Sequence, residues 1–184
     1  MNKLIMSSTC AVFLLAPLLA TLAAHGQSVG EKTGVDSALG ISPTTQDFVT
    51  EAANSDRLEI AAAKVAQQKG DRDEKKFAEE MITDHTKTSD DIKGMVDRGE
   101  VKATLPARLD DASQKKLTEL QDAKAKDFPG YYDPMQVSAH KDAVSLFERY
   151  AKSGDNSKLR DWAGKTLPTL QHHLQMAQAL KKRD

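Results

Sequence analysis

From residue 44 onward, apolar side chains recur every three to four positions in four long segments. Phe48, Ala52, Leu58, Ala62, Val65 and Ala66 share one face of the first segment, and Phe77, Met81, Ile92 and Met95, with Thr88, one face of the second. Tyr132, Met135, Ala139, Ala143, Leu146, Phe147 and Tyr150 line the third; Leu167, Leu170, Leu174 and Ala177 line the fourth. A period near 3.6 predicts amphipathic helices. No segment alternates at period two between turn signals, which argues against a β-barrel.

Punctuation sets the boundaries. "TTQD" offers Thr44 as N-cap with Asp47 as its capping-box partner, and the first helix runs to about Lys69, before Gly70. Asp71 caps a second helix that runs to about Arg98 and stops at Gly99; Gly94 weakens it near its end. A short helix from about Asp111 to Ala125 directs Leu117 and Leu120 inward. The third long helix is expected over Tyr131–Ser153, with Pro134 tolerable in its first turn, and the fourth over Ser157–Lys182, kinked at Pro168. About 30 residues separate the second and third long helices, where an up-down bundle uses 2–8. The expected fold is therefore all-α: a ferritin-like four-helix bundle with one long crossover and a short extra helix.

The first residues read differently. Lys3 precedes the apolar run "AVFLLAPLLATLAA", shorter than the roughly 20 residues a membrane-spanning helix needs, and small residues follow in "LAAHGQS". Residues 1–26 are read as a signal peptide, 27–43 as a flexible glycine-rich leader and 44–184 as the bundle domain. Cleavage near Ala24 to Gly26 leaves no membrane span and removes Cys10, the chain's one cysteine. The protein is expected in the periplasm or secreted, folded without a disulfide. Charged residues make up 29% of the chain and its net charge is −1. That balance provides no electrostatic basis for nucleic acid as a partner. No motif points to a particular protein partner.

Each long helix carries a polar group on or beside its apolar stripe: Glu59, His85, His140 and, on the shoulder of the fourth, His173. His172 points nearly opposite and reads as a surface residue. At about 1.5 Å rise per residue, Glu59 and His85 lie within about one turn in depth when measured from Gly70. His140 and His173 agree more loosely about the "SGDNS" turn. His85 and His140 meet only if their helices run parallel, which a long crossover permits. A weak internal echo places an aromatic eight residues before each of these two histidines (Phe77, Tyr132) and an apolar residue seven after (Ile92, Phe147).

Three imidazoles and a carboxylate suit a divalent metal such as zinc, iron or copper, and bundle cores build such sites from facing helices. Glu59, His85, His140 and His173 are the candidate ligands. The competing reading is a structural network, in which the same groups satisfy one another and only set helix packing. Di-iron chemistry does not fit: Ile82, Val137 and Leu170 stand three residues before the histidines, where Glu-x-x-His motifs carry carboxylates. Met81, four before His85, and Met135 and Met176 near other histidines are thioethers suited to Cu(I), but Met81 and Met135 read first as core filling. Tyr131, Tyr132 and Trp162 read as packing residues. Asp84 is either a support for the site or a solvated acid. No nucleophile–base pair, phosphate loop or Cys/His finger spacing occurs, so a binding or structural role ranks ahead of an enzyme.

The segments "FVTEAANSDRLEIAAAKVA", "FAEEMITDHTK", "LPARLD" and "AHKDAVSLFERYAKSGDNSKLRDWAGKTLPTLQHHLQMAQAL" resemble the bacterial secreted family called domain of unknown function 4142, often labelled an outer-membrane protein. The resemblance spans about Phe48 to Leu180. It implies a ferritin-like four-helix bundle without an established activity. By it His85, His140 and His173 correspond to the family's histidines and Glu59 to its first-helix acid. "SAH" departs from the pattern, since an acid commonly precedes that histidine. The sequence fits a soluble periplasmic protein better than the outer-membrane label.

Overall fold

Thr44 opens the first helix as the sequence predicts: its hydroxyl accepts from the Asp47 amide at 3.1 Å and donates to the Asp47 carboxylate at 2.8 Å. The computed structural model describes residues 38–182. The segment read as a signal peptide, the first part of the expected leader and Cys10 lie outside them. The described residues contain no strand. They form α1 (Thr45–Lys69), α2 (Arg72–Asp97), α3 (Asp111–Asp122), α4 (Phe128–Ser153) and α5 (Ser157–Lys181), with a 3-10 turn over Ala125–Asp127. Among them no helix is long and apolar enough to cross a membrane.

Local chemistry explains the ends. Asp71 and Glu74 form a full capping box at the start of α2. At its other end, Gly99 takes a φ of 69° and completes a Schellman motif: its amide donates to Val96 and the Glu100 amide to Met95, both at 2.9 Å. α4 begins three residues earlier than the expected Tyr131, because the 3-10 turn feeds directly into Phe128 and Pro129 fits a first helical turn. Pro134 therefore lies deeper in the helix than its sequence context indicates. α5 continues through Pro168 to Lys181. Tyr131 is 52% exposed and does not serve as core packing.

Helices α1 and α2 pack as one hairpin and α4 and α5 as another; α1 also meets α4, and α2 meets α5. Two apolar clusters show the directions. One gathers Ala66, Phe77, Phe128, Tyr132 and Leu180. The other gathers Phe48, Met95, Tyr150 and Leu159. The starts of α2 and α4 thus share one end with the finishes of α1 and α5, so α2 and α4 run parallel. The crossover between them is fastened to α1. Asn54 donates to Asp110 (2.9 Å) and Ser113 (2.8 Å) and accepts from the Asp110 amide (2.9 Å). Lys69 reaches the carbonyls of Leu120, Gln121 and Ala123 at the end of α3, where a cation complements the helix dipole.

The two clusters divide at the same level on every long helix. On α1 the break falls between Ala52 and Leu58, on α2 between Met81 and Ile92, on α4 between Val137 and Ala143, and on α5 between Leu170 and Ala177. Buried polar residues fill that middle layer.

Candidate metal centre

The middle layer takes Asp56 and Glu59 from α1, His85 from α2, Gln136 and His140 from α4 and His173 from α5, all buried. Each histidine replaces an apolar residue at a core position of a 3.6-period stripe, and the parallel course of α2 and α4 brings His85 and His140 to one depth. His173 sits at the centre of its buried face, not on the shoulder, whereas Leu174 is only partly buried. The three rings form a nearly equilateral triangle with centroid separations of 5.7, 5.5 and 5.4 Å. One ring nitrogen from each lies within 4.8 Å of one from each of the others.

Every ring is held from behind. His85 Nδ1 donates to Asp56 at 2.8 Å, His140 Nδ1 to the Gln136 carbonyl at 2.9 Å, and His173 Nε2 to Asp84 at 2.9 Å. The remaining nitrogens are His85 Nε2, His140 Nε2 and His173 Nδ1. All three are buried without a hydrogen-bond partner in the protein. Backing one imidazole nitrogen with a carboxylate or carbonyl fixes the tautomer and leaves the other lone pair for a ligand. Asp56 is itself saturated, accepting from Thr88 (2.8 Å) and Ser89 (3.3 Å) as well.

Glu59 lies beside this triangle and outside the 4.8 Å group. Its Oε2 accepts from Gln136 at 2.7 Å, and its Oε1 is buried without a partner. Its charge favours protonation of both His85 and His140. Met81 packs in the apolar cluster, and His172 is exposed beside Glu80.

The electrostatics separate the rings. Burial lowers the pKa of His85 most strongly as a single effect, but the Asp56 hydrogen bond and the charges of Asp56, Glu59 and Asp84 together outweigh it, so the net shift is upward. His140 is lowered, chiefly by burial. His173 falls to about 4, again through burial, with the neighbouring His85 and His140 opposing a further charge. Two rings are thus neutral near pH 7, the state a metal requires, and the third sits among acids that would balance a cation's charge.

Sequence reasoning passed over Asp56 and Gln136. Asp56 precedes Glu59 by three positions and so shares its face, a signal that was available. Gln136 acts through its backbone carbonyl, which holds His140 one turn on in the same helix, and through its side-chain amide, whose use only the packing of α4 against α1 shows. Asp84 is adjacent to His85 in sequence but serves His173, on the other hairpin.

No curated protein and no solved structure matches the chain to a significant degree. The family model described as a domain of unknown function, DUF4142, matches residues 30–180, and the chain therefore belongs to that family.

Proposed function

We propose that this protein is an exported, periplasmic or secreted, ferritin-like four-helix bundle that holds one divalent transition-metal ion, zinc, iron or copper, on His85, His140 and His173. One observation carries the reading: three buried histidines each bring a ring nitrogen within 4.8 Å of the others, and each ring has one nitrogen held and one without a partner in the protein. Glu59 offers a fourth donor, a carboxylate oxygen, beside the triangle. Its Oε1 has no partner in the protein, but its use as a ligand requires the carboxylate to move toward the histidines, so a metal held by the histidines alone would keep an open position. The up-down-down-up course of the long helices supports the ferritin-like assignment.

A second reading rests on the upward shift of His85. Protonated beside Asp56, His85 forms a buried ion pair that fixes helix register without any metal. Elemental analysis of untagged protein separates the two. The metal reading expects near-stoichiometric metal, a melting temperature lowered by chelator and restored by the metal, and no binding by the H85A/H140A double variant. Metal-free protein whose melting is indifferent to zinc, iron and copper salts would establish the structural reading instead.

A further inference from the structure

On the metal-binding reading, an ion must reach a site closed at both ends by apolar clusters. The groups behind the three histidines differ in how far they reach toward water. Asp56, behind His85, has a side chain 8% exposed. The carbonyl behind His140 belongs to Gln136, a fully buried residue. Asp84, behind His173, is 33% exposed. Beyond Asp84, along the seam between α2 and α5, lie Glu80 and then His172, with Glu80 Oε1 3.7 Å from His172 Nε2.

Glu80, Asp84 and His173 bring one ligand atom each within 4.8 Å of one another, as the three buried histidines do. His173 therefore belongs to both groups. Its ring is 1% exposed, its Nε2 is aimed at Asp84, and its Nδ1 has no partner in the protein. The acidic pair is thus joined to a buried imidazole whose other nitrogen is left for the interior triangle.

We infer that Glu80 and Asp84 form a loading port for a divalent cation, which is captured at the α2–α5 seam and passed by way of His173 to the three-histidine centre. Two carboxylates raise the local cation concentration and replace hydration water with oxygen ligands. The His173 ring is the one element shared by the port and the centre, and its movement away from Asp84 opens the passage. Glu80 touches none of the three interior nitrogens, so it sets the rate of loading and leaves equilibrium occupancy alone.

The test is stopped-flow uptake of Co(II), read by its absorption, into untagged, chelator-stripped protein. Glu80→Lys is compared with Glu79→Lys, a charge reversal at an exposed neighbour on α2, after circular dichroism has verified both folds. The port predicts uptake about fivefold or more slower for Glu80→Lys alone, with final stoichiometry and spectrum unchanged and the difference shrinking in high salt. Equal rates for the two variants would overturn the port while leaving the centre intact. Absence of Co(II) binding by the unaltered protein would overturn the centre, and the port with it.

Discussion

His85 Nδ1 lies 2.8 Å from Asp56 Oδ1, joining the middle of α2 to the middle of α1 in a buried contact. Asp56 holds the ring in one tautomer, raises its basicity and leaves Nε2 without a partner in the protein. Replacing Asp56 with Asn keeps an acceptor of the same size but removes the charge. The expected result is a fall in the His85 pKa relative to the unaltered protein and, on the metal-binding proposal, affinity weakened by about 10- to 100-fold. Competition against a chelator of known affinity reads the second effect. Unchanged affinity would remove Asp56 from the site's support.

The metal-free protein should titrate its buried histidines in a set order. His85 protonates above the usual 6.5, while His140 lies below it and His173 falls to about 4. For His173 the unfolded chain binds the proton first as pH falls, so native stability drops between about 6.5 and 4, by roughly 3 kcal/mol for this group alone. His85 acts oppositely: its contribution is complete below 6.5 and is lost as pH rises through its raised folded pKa. Histidine NMR titration of stripped protein checks the order, and His173 protonating before His85 would contradict it.

Gln136 donates the one hydrogen bond that reaches Glu59 Oε2. Gln136→Leu fills similar space but leaves both oxygens of a 1%-exposed carboxylate without a protein donor. A loss of about 1–3 kcal/mol is expected in urea unfolding of metal-free protein. The same change frees Glu59 to approach the histidines, so bound metal should offset part of the loss. A variant as stable as the parent in both states would show that this bond contributes nothing.

A Cβ at Gly154 would stand 2.5 Å from Cε1 of Tyr150, whereas one at Gly130 would meet nothing within 4 Å. The Tyr150 ring cannot easily yield: it is fully buried, stacks on Phe48 at 4.2 Å, and its hydroxyl lies 2.6 Å from that of Thr45. Gly154→Ala should therefore destabilise by about 1–3 kcal/mol. Gly130→Ala, inside α4, should be neutral or stabilise by up to about 1 kcal/mol. Paired thermal melts test this, and equal melting temperatures would refute the close-contact argument.

The 3.6-period stripes of Phe48 to Ala66, Phe77 to Met95 and Tyr132 to Tyr150 were sufficient to locate the long helices and to mark Glu59, His85 and His140 as polar residues on apolar faces. That is local information, since periodicity and capping depend on neighbours a few positions apart. The beginning of α4 was misplaced because Pro134 reads as a first-turn residue, whereas the 3-10 turn over Ala125–Asp127 runs directly into Phe128 and Pro129 occupies that turn.

The amino-acid order by itself determined the helical class, most helix ends and the presence of an inward histidine or acid on each long helix. Tertiary packing alone decided which of these groups share a depth and what stands behind His85 and His173, whereas His140 is held from within its own helix. Asp84 next to His85 supports His173 instead, 89 positions further on, and Glu59 is held by Gln136 from across the bundle. A helix's own sequence specifies the angle at which a side chain leaves its axis. The partner it meets depends on the rotation and axial offset of neighbouring helices, which the whole core settles at once.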